Sequence, residues 1–405
     1  MKINLSEETD ALMKKKHSEK EEIRNKEKNK LNIATKINER NSSFEILRII
    51  AMFLIILSHI IYYTNSLPKL STSNYTNIIN NRYIFLRIIS NYGKFGDIIF
   101  IHISGYFSIK RTNFHYQKFI LIIAQIYFYH YLFLFFGLKL KNIYNDIPPL
   151  EQINGSYYLP LLTTLGHWFA QQYLVLLVFM PYINTGLLSL NRDQYKQLVF
   201  LLLLCFSIIR PLLNCFNVPT DLFSLVLFMK ILMNYIIGGY LRINEINNKI
   251  AIIIFGLLSF VITINFEYLC DIYACQYQKI YWLIFQEQFC LQINSIFPII
   301  SGIGLIYLVK DFNIHNKYIN FISSSTFGIY LIHANKNIAP YIYNAWFKTE
   351  DFNQDYFFVK YFLKAVIIFF ISLLIDVIRR FTFELIVQKI LNFFINLYQK
   401  NKNIS

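Results

Sequence analysis

Charged residues are scarce in this chain of 405 residues. Asp, Glu, Lys and Arg make up 16% of it, against roughly a quarter in soluble domains, while 55% of its residues are hydrophobic. A soluble globule of this length could not bury so much apolar surface, whereas lipid can solvate it. The composition therefore excludes an ordinary soluble domain and indicates an integral α-helical membrane protein.

Several chemical motifs are missing as well. The five cysteines form no CxxC pair and no metal-ligand spacing, and no Walker loop for nucleotide phosphates occurs. The first apolar run begins near Ile46 without a small-residue cleavage site after it, so we expect it to stay in the mature protein. We expect no metal site. Cys215, Cys270, Cys275 and Cys290 fall on or near the predicted outer face, where one or two disulfides between them are one alternative. We favour unpaired thiols.

The formal net charge is +15, a value that could suggest a nucleic-acid partner. Residues 1–45, however, contain eleven Lys and Arg against nine Asp and Glu, so the excess lies around the apolar segments. That is where the positive-inside bias of membrane proteins puts it. We therefore expect no nucleic acid, and we interpret residues 1–43 as a polar cytoplasmic arm that is either solvated or in contact with anionic lipid.

Ten apolar segments approach the roughly 20 residues that cross the hydrocarbon layer as a helix. They are 46–64, 95–109, 117–137, 168–188, 197–215, 222–241, 250–269, 293–309, 323–343 and 361–380. The predicted fold is an all-α polytopic transmembrane bundle of about ten spans within a domain 44–382, followed by an interfacial segment 383–405. The second span is short and could extend back toward Ile88. The distribution of Lys and Arg over the loops places both termini in the cytoplasm.

Arg48 and His59 are the most informative polar residues of the first span. They are eleven residues apart, so they lie about 20° from a common helix face and roughly 16 Å apart along the axis. Ionisable groups within a span usually face the protein interior or a water-filled cavity. A guanidinium near the inner surface can hold phosphates, and a deeper imidazole can act as a general base. The structural alternative is that Arg48 pairs with Glu45 while His59 bonds to a neighbouring helix.

The second span contains His102 and the Ser104–Gly105 pair. For Ser104 and Gly105 we favour close helix packing over ligand contact, because small residues let helix backbones approach. We interpret His102 as a core histidine with its hydrogen-bonding groups satisfied.

Further polar residues lie at or near the ends of later spans. His333 either lines an active site or has a structural role, and His167 and Trp168 start a span, where interfacial anchoring is expected. Glu267, Asp271 and Glu287 fall on or near the predicted outer face, where we expect them to be solvated, with a role in acceptor binding as the alternative.

Four segments occur in an order that resembles a known family. Arg48 and His59 begin it, and GDIIFIHISGYF (96–107) is an apolar run that ends in Ser-Gly-Tyr. HWFAQQYLVLLVFMPYIN (167–184) and FISSSTFGIYLIHANKNI (321–338) follow. Together they resemble the acyltransferase type 3 family, which includes bacterial polysaccharide O-acetyltransferases, over roughly residues 44–380. The chain departs from the family pattern at FHYQKF, where many members are Arg-rich, and at Asp97 and His102, where they are usually apolar.

The resemblance implies an enzyme of the bacterial plasma membrane, in contact with lipid, that has no permanently bound cofactor. It implies transfer of an acyl group, most often acetyl, from the co-substrate acyl-coenzyme A to a hydroxyl of a glycan or glycolipid. His59 would act as general base or transient acyl carrier. Donor binding would fall to Arg48, Lys110, Arg111 and Lys118, and the site would also be lined by Glu45, Ser104, Gly105, Tyr330 and His333.

Two other classes of function remain open. A transporter or flippase for a lipid-linked sugar is also polytopic and has few intramembrane charges, although no repeat of spans and no pair of Gly/Pro-broken helices is visible. An inactive relative that serves as a membrane sensor is the third. Turnover of acyl-coenzyme A by the purified protein distinguishes an acyltransferase from a transporter and from an inactive sensor, because neither of these would consume the thioester.

Overall fold

The computed structural model describes residues 40–64, 81–141, 143, 167–216, 218, 227–245, 247–277, 281–346 and 356–402. Those residues are mostly helical, and no β-strand occurs among them. The predicted all-α fold is therefore confirmed. Most of the predicted arm 1–43 lies outside the described residues, and Ser42 already begins the first helix.

The described helices are numbered here in chain order. They are α1 (Ser42–Thr64), α2 (Asn81–Ser108), α3 (Tyr116–Lys141), α4 (Trp168–Ser189), α5 (Arg192–Cys215), α6 (Leu227–Ile243), α7 (Lys249–Gln276), α8 (Tyr281–Gln286), α9 (Ile296–Val309), α10 (Lys317–Ser323), α11 (Thr326–His333), α12 (Phe357–Arg379) and α13 (Leu385–Lys402). Wider π-helical turns occur at Leu204–Ile209 within α5, at Glu287–Leu291 after α8, at Tyr341–Trp346 and at Arg380–Glu384.

Seven helical stretches among the described residues are long and apolar enough to cross a membrane. They are α1, α3, α4, α5, α7, the stretch Trp282–Val309 and the stretch Phe357–Leu397. These correspond to seven of the ten predicted spans, so the count of ten is not confirmed. In the last stretch α13 continues from α12 through a π-helical turn, and its placement along the membrane surface stays a prediction.

The second predicted span, 95–109, is the end of a longer helix. α2 has 28 residues and begins at Asn81, earlier than the extension toward Ile88 that the sequence suggested. Its N-terminal half carries Arg82, Arg87 and Lys94, which lower its hydropathy. Arg87 is paired with Asp271 and Lys94 with Asp97, and paired charges are tolerated inside a helix bundle.

The sixth and ninth predicted spans fall short for different reasons. α6 has 17 described residues, and the start predicted for it at 222 lies outside the described residues. The segment 323–343, by contrast, is not one helix, because α11 ends at His333 and a turn follows. The Asn335 side chain accepts a hydrogen bond from the backbone N–H of Asn337 at 3.0 Å in this turn, and both residues are buried. Irregular backbone at membrane depth is tolerated where protein encloses it.

α2 packs against α1, α6 and α9. Its main chain touches the main chain of α6 directly. A Cβ atom added to Gly105 would collide with the carbonyl oxygen of Tyr235, and one added to Gly238 would lie 3.0 Å from the Cα of His102. The close-packing interpretation of Gly105 is therefore confirmed. His102 is a core histidine as expected, and its Nε2 lies 3.0 Å from the Asn234 side-chain oxygen, but its Nδ1 has no hydrogen-bond partner.

The prediction that Glu267 and Asp271 are solvated is wrong. Their exposed fractions are 2% and 1%. The Arg87 guanidinium donates to both carboxylate oxygens of Asp271, at 3.0 and 3.1 Å, and the Asn91 amide donates to Glu267. These partners lie on α2, far away in sequence, so the hydropathy of α7 alone could not reveal them.

Among the described side chains, Cys205, Cys215, Cys270 and Cys290 are free thiols. This agrees with the expectation of unpaired cysteines for those four. The side chain of Cys275 lies outside the described part of the chain.

Candidate active site

A cavity of about 900 Å³ opens among α1, α2, the start of α4 and the end of α11. Small-molecule sites commonly measure roughly 300–1,000 Å³, so its size suits a substrate rather than a single water molecule. Its polar and aromatic lining comprises Ser58, His59, Tyr62, Tyr63, Arg87, Ser90, Lys94, Asp97, His167, Trp168, Tyr330 and Lys336.

Three residues predicted for the site come together at this cavity. The ring centroids of His59 and His333 are 5.1 Å apart, and Tyr330 lies one helical turn before His333 on α11. His333 is fully buried, and its Nδ1 lies 2.6 Å from the carbonyl oxygen of Ile329. The His167 ring is 5.3 Å from that of Tyr330. His59 thus faces a set of aromatic and imidazole rings from two other segments.

A charge pair on α2 faces the same cavity. The Lys94 Nζ lies 3.7 Å from the Asp97 carboxylate and 4.6 Å from the centre of the Trp168 ring. Lys94 is also close enough to His59 for its charge to act on that ring. The only sequence signal for this pair was the unusual acidic residue at position 97, and the interfacial role expected for His167 and Trp168 concealed their place in the cavity.

Arg48 lies at the opposite end of α1, and it forms the ion pair with Glu45 that the structural alternative described. The two side chains form an ion pair, and the Ser323 hydroxyl donates to the same Glu45 carboxylate. Glu45 is 2% exposed, while the Arg48 side chain keeps 22% of its surface accessible. A buried carboxylate and α10 therefore orient a partly exposed guanidinium.

Positive side chains from three segments lie in the surroundings of the Tyr173 hydroxyl on α4. Arg48 on α1, Arg111 after α2 and Lys118 on α3 all lie close enough to act on that hydroxyl electrostatically, and Ser104 on α2 lies near it. Arg111 and Lys118 are exposed. We call Arg48, Arg111, Lys118 and Tyr173 the cation group. Tyr173 was missed by sequence reasoning, since one Tyr among thirty carries no signal.

Enclosed space beside the cation group is small. A cavity next to Arg111 and Lys118 measures about 20 Å³, room for about one water molecule. Lys110 is exposed at the C-terminal end of α2, one residue before Arg111. A large anion approaching these side chains would therefore meet an open, positively charged surface.

Aromatic rings connect the cation group with the large cavity. Tyr173 and Phe169 lie one turn apart on α4 with stacked rings, their centroids 6.2 Å apart. Phe169 in turn lies 5.8 Å from Tyr330, which neighbours both His167 and His333. The two groups of site residues thus share one contiguous wall.

In the part of the chain that the structure describes, no group of three or more His, Cys, Asp or Glu side chains is arranged to hold a metal ion. Metal-free and cofactor-free chemistry stays a prediction.

Comparison with known proteins gave one finding. A family model described as an acyltransferase domain, that of the acyltransferase type 3 family, matches residues 41–378. Those residues begin just before α1 and end within α12, so they include both the cation group and the large cavity. Neither the curated proteins nor the solved structures gave a match.

Proposed function

Because the chain belongs to this acyltransferase family, we propose that it transfers an acyl group, acetyl in the first instance, from acyl-coenzyme A to a hydroxyl of a cell-surface glycan or glycolipid. One observation beyond family membership supports the proposal. α1 presents Arg48 to the cation group at one end and His59 to the large cavity at the other. An anionic donor and a hydroxyl acceptor can therefore be bound at two ends of one helix face.

The proposed location is the bacterial plasma membrane, with the termini and the cation group at the cytoplasmic side. The bias of Lys and Arg toward that side in the sequence supports this orientation. In this orientation the C-terminal half of α1, with His59, Tyr62 and Tyr63, lies toward the outer surface. The donor then enters from the cytoplasm, where acyl-coenzyme A is made, and the acceptor from the opposite side.

The donor proposal follows from charge. Coenzyme A carries its phosphates at the nucleotide end and its thioester at the end of a long, flexible arm. Arg48, Lys110, Arg111 and Lys118 supply positive charge for the phosphates, and the ion pair with Glu45 holds the Arg48 guanidinium in place. Arg48 and His59 lie roughly 16 Å apart along α1. In the proposed complex the flexible arm of coenzyme A covers this distance, while the nucleotide stays beside Arg48.

The acceptor proposal follows from the cavity. Its volume of about 900 Å³ accommodates one or more sugar rings, and its lining combines flat aromatic rings with hydrogen-bonding groups. Trp168 and Tyr62 offer faces against which a sugar ring can pack, while Ser58 and Ser90 offer hydroxyls. These features fit a glycan hydroxyl better than the apolar tail of a lipid.

In the proposed reaction His59 accepts the proton of the acceptor hydroxyl as its oxygen attacks the thioester carbonyl carbon. The carbonyl π bond opens to an oxyanion near the positive charge of Lys94. Collapse of this intermediate breaks the carbon–sulfur bond, and the proton held by His59 passes to the leaving sulfur. The products are the ester and free coenzyme A. In the alternative route His59 carries the acyl group itself, which labelled protein denatured rapidly at neutral pH would reveal as a covalent adduct.

An acyl-transfer assay in membranes tests the assignment of the two ends of α1. Arg48→Ala should raise the KM for acyl-coenzyme A with little change in the KM for the acceptor, whereas His59→Ala should remove turnover while donor binding persists. Wild-type activity in His59→Ala would exclude its role. An unchanged donor KM in Arg48→Ala would exclude the donor assignment.

Lys196→Ala is the matched control for loss of a cation, since Lys196 is exposed on α5 and belongs to neither end of the site. The acceptor can be identified by mass spectrometry of surface glycans with and without the gene. A mass difference equal to one acyl group would identify both the group and the acceptor.

A transporter or flippase for a lipid-linked sugar is the second candidate function, and one observation favours it. The segment 323–343 is broken after His333 beside a large cavity, and broken helices at a central site are common in transporters. Acyl-coenzyme A turnover by the purified protein decides between the two, because a flippase has no use for the thioester.

A further inference from the structure

Two ring nitrogens beside the large cavity are enclosed by protein and have no hydrogen-bond partner. They are the Nδ1 of His59 and the Nε2 of His333. An enclosed polar atom without a partner is costly, so each such atom calls for an explanation, and a role in catalysis is one of them. Here the two atoms belong to neighbouring rings whose centroids are 5.1 Å apart.

The tautomer of His333 follows from its other nitrogen. Its Nδ1 lies 2.6 Å from the carbonyl oxygen of Ile329, one turn earlier on α11. A carbonyl oxygen only accepts hydrogen bonds, so Nδ1 must carry the hydrogen. In the neutral ring Nε2 is then a pure acceptor, with its lone pair directed away from α11.

The separation of the rings matches a hydrogen bond between the two unpartnered atoms. An N–H···N bond of about 2.9 Å, with each nitrogen about 1.1 Å from its ring centre, puts the centroids roughly 5 Å apart. The rings are inclined at 44° to each other. The hydrogen bond therefore requires the His59 ring to turn until its Nδ1 faces the Nε2 of His333.

We propose that His333 is a positioning residue whose Nε2 accepts a hydrogen bond from the Nδ1–H of His59. This bond fixes His59 in the tautomer that leaves its lone pair on Nε2, the nitrogen available to the cavity. The inference rests on the proposed function for its consequence: His59 Nε2 takes the proton of the acceptor hydroxyl and returns it to the thiolate, while the Nδ1 proton stays in place. His333 also stabilises the positive charge that His59 gains between those two steps.

Nitrogen NMR of the protein labelled with ¹⁵N in its histidine rings reads the tautomer directly and needs no activity. The His59 signals are assigned by their absence from His59→Ala. Wild-type protein in lipid nanodiscs should show His59 protonated at Nδ1, and His333→Leu should shift it toward the Nε2-protonated form. A wild-type His59 protonated at Nε2, or a tautomer that is the same in His333→Leu, would overturn the proposal.

Kinetics supply the second readout, with His333→Gln as the conservative variant, because its amide oxygen can still accept from His59. His333→Leu should lower kcat by about tenfold or more with both KM values nearly unchanged, and His333→Gln should restore part of the loss. Equal losses in the two variants would contradict the acceptor role. If wild-type protein transfers no acyl group, the proposed function fails, while the NMR measurement still decides the histidine pair. If His333→Leu does not fold, the wild-type and His333→Gln spectra decide it.

Discussion

Replacing Gly105 by alanine tests the backbone contact between α2 and α6. The added Cβ would collide with the carbonyl oxygen of Tyr235 and would lie 3.0 Å from the backbone nitrogen of Gly239. Both atoms belong to the main chain of α6, which cannot turn aside as a flexible side chain can. The two helices would have to separate near the C-terminal end of α2, about two turns beyond Asp97, the last α2 residue that lines the cavity.

The size of the effect follows from two opposing contributions. Inserting a methyl group into a packed site typically costs about 1–3 kcal/mol, whereas alanine gains roughly 0.5–1 kcal/mol over glycine inside a helix. We therefore expect Gly105→Ala to lower the free energy of unfolding by about 1–2 kcal/mol. Gly186→Ala is the matched control, because nothing lies within 4 Å of its added Cβ, and it should be neutral or slightly stabilising.

Thermal unfolding in detergent, followed by circular dichroism or intrinsic fluorescence, measures both variants. Gly105→Ala should unfold at a lower temperature than wild type, and Gly186→Ala at the same or a slightly higher one. Equal stability of Gly105→Ala and wild type would refute the packing argument. If that stable variant also had a raised donor KM, Gly105 would be a ligand contact instead.

Two further predictions concern buried polar contacts. Asp271→Ala leaves the Arg87 guanidinium without its carboxylate partner, which should cost about 3–5 kcal/mol of stability, while removal of the exposed carboxylate in Glu287→Ala should cost little. Unfolding in detergent compares them, and equal stability of the two variants would count against a structural role for the pair. Tyr173→Phe removes the hydroxyl at the centre of the cation group and should raise the KM for acyl-coenzyme A but not for the acceptor. Steady-state kinetics with each substrate varied in turn measures both KM values. An unchanged KM for acyl-coenzyme A together with a raised KM for the acceptor would contradict the prediction.

The parts of the fold that could be predicted are those set by local hydrophobicity. The span predicted at 168–188 corresponds to α4, Trp168–Ser189, and that at 117–137 to the longer α3, Tyr116–Lys141. The prediction failed where a charge is compensated by a distant partner. The hydropathy pattern favours a loop at Arg87, and its contact with Asp271, 184 positions later, helps to explain why α2 extends so far.

The candidate site shows the same division. Arg48 and His59 could be placed on one face because helix geometry alone relates residues eleven positions apart. The neighbours of His59 could not be predicted, because they depend on how other helices rotate against α1. His167 begins a span and therefore resembled an interfacial anchor, yet it packs against Tyr330 at the cavity.

The most direct test of the account is acyl transfer by inverted membrane vesicles, which expose the cytoplasmic face to added substrate. Radiolabelled acetyl-coenzyme A outside such vesicles should label a glycan or glycolipid when the wild-type protein is present. His315→Ala, which alters an exposed histidine away from the cavity, should label it equally, and His59→Ala should not label it at all. Undiminished labelling with His59→Ala, or no labelling with the wild-type protein, would contradict the account.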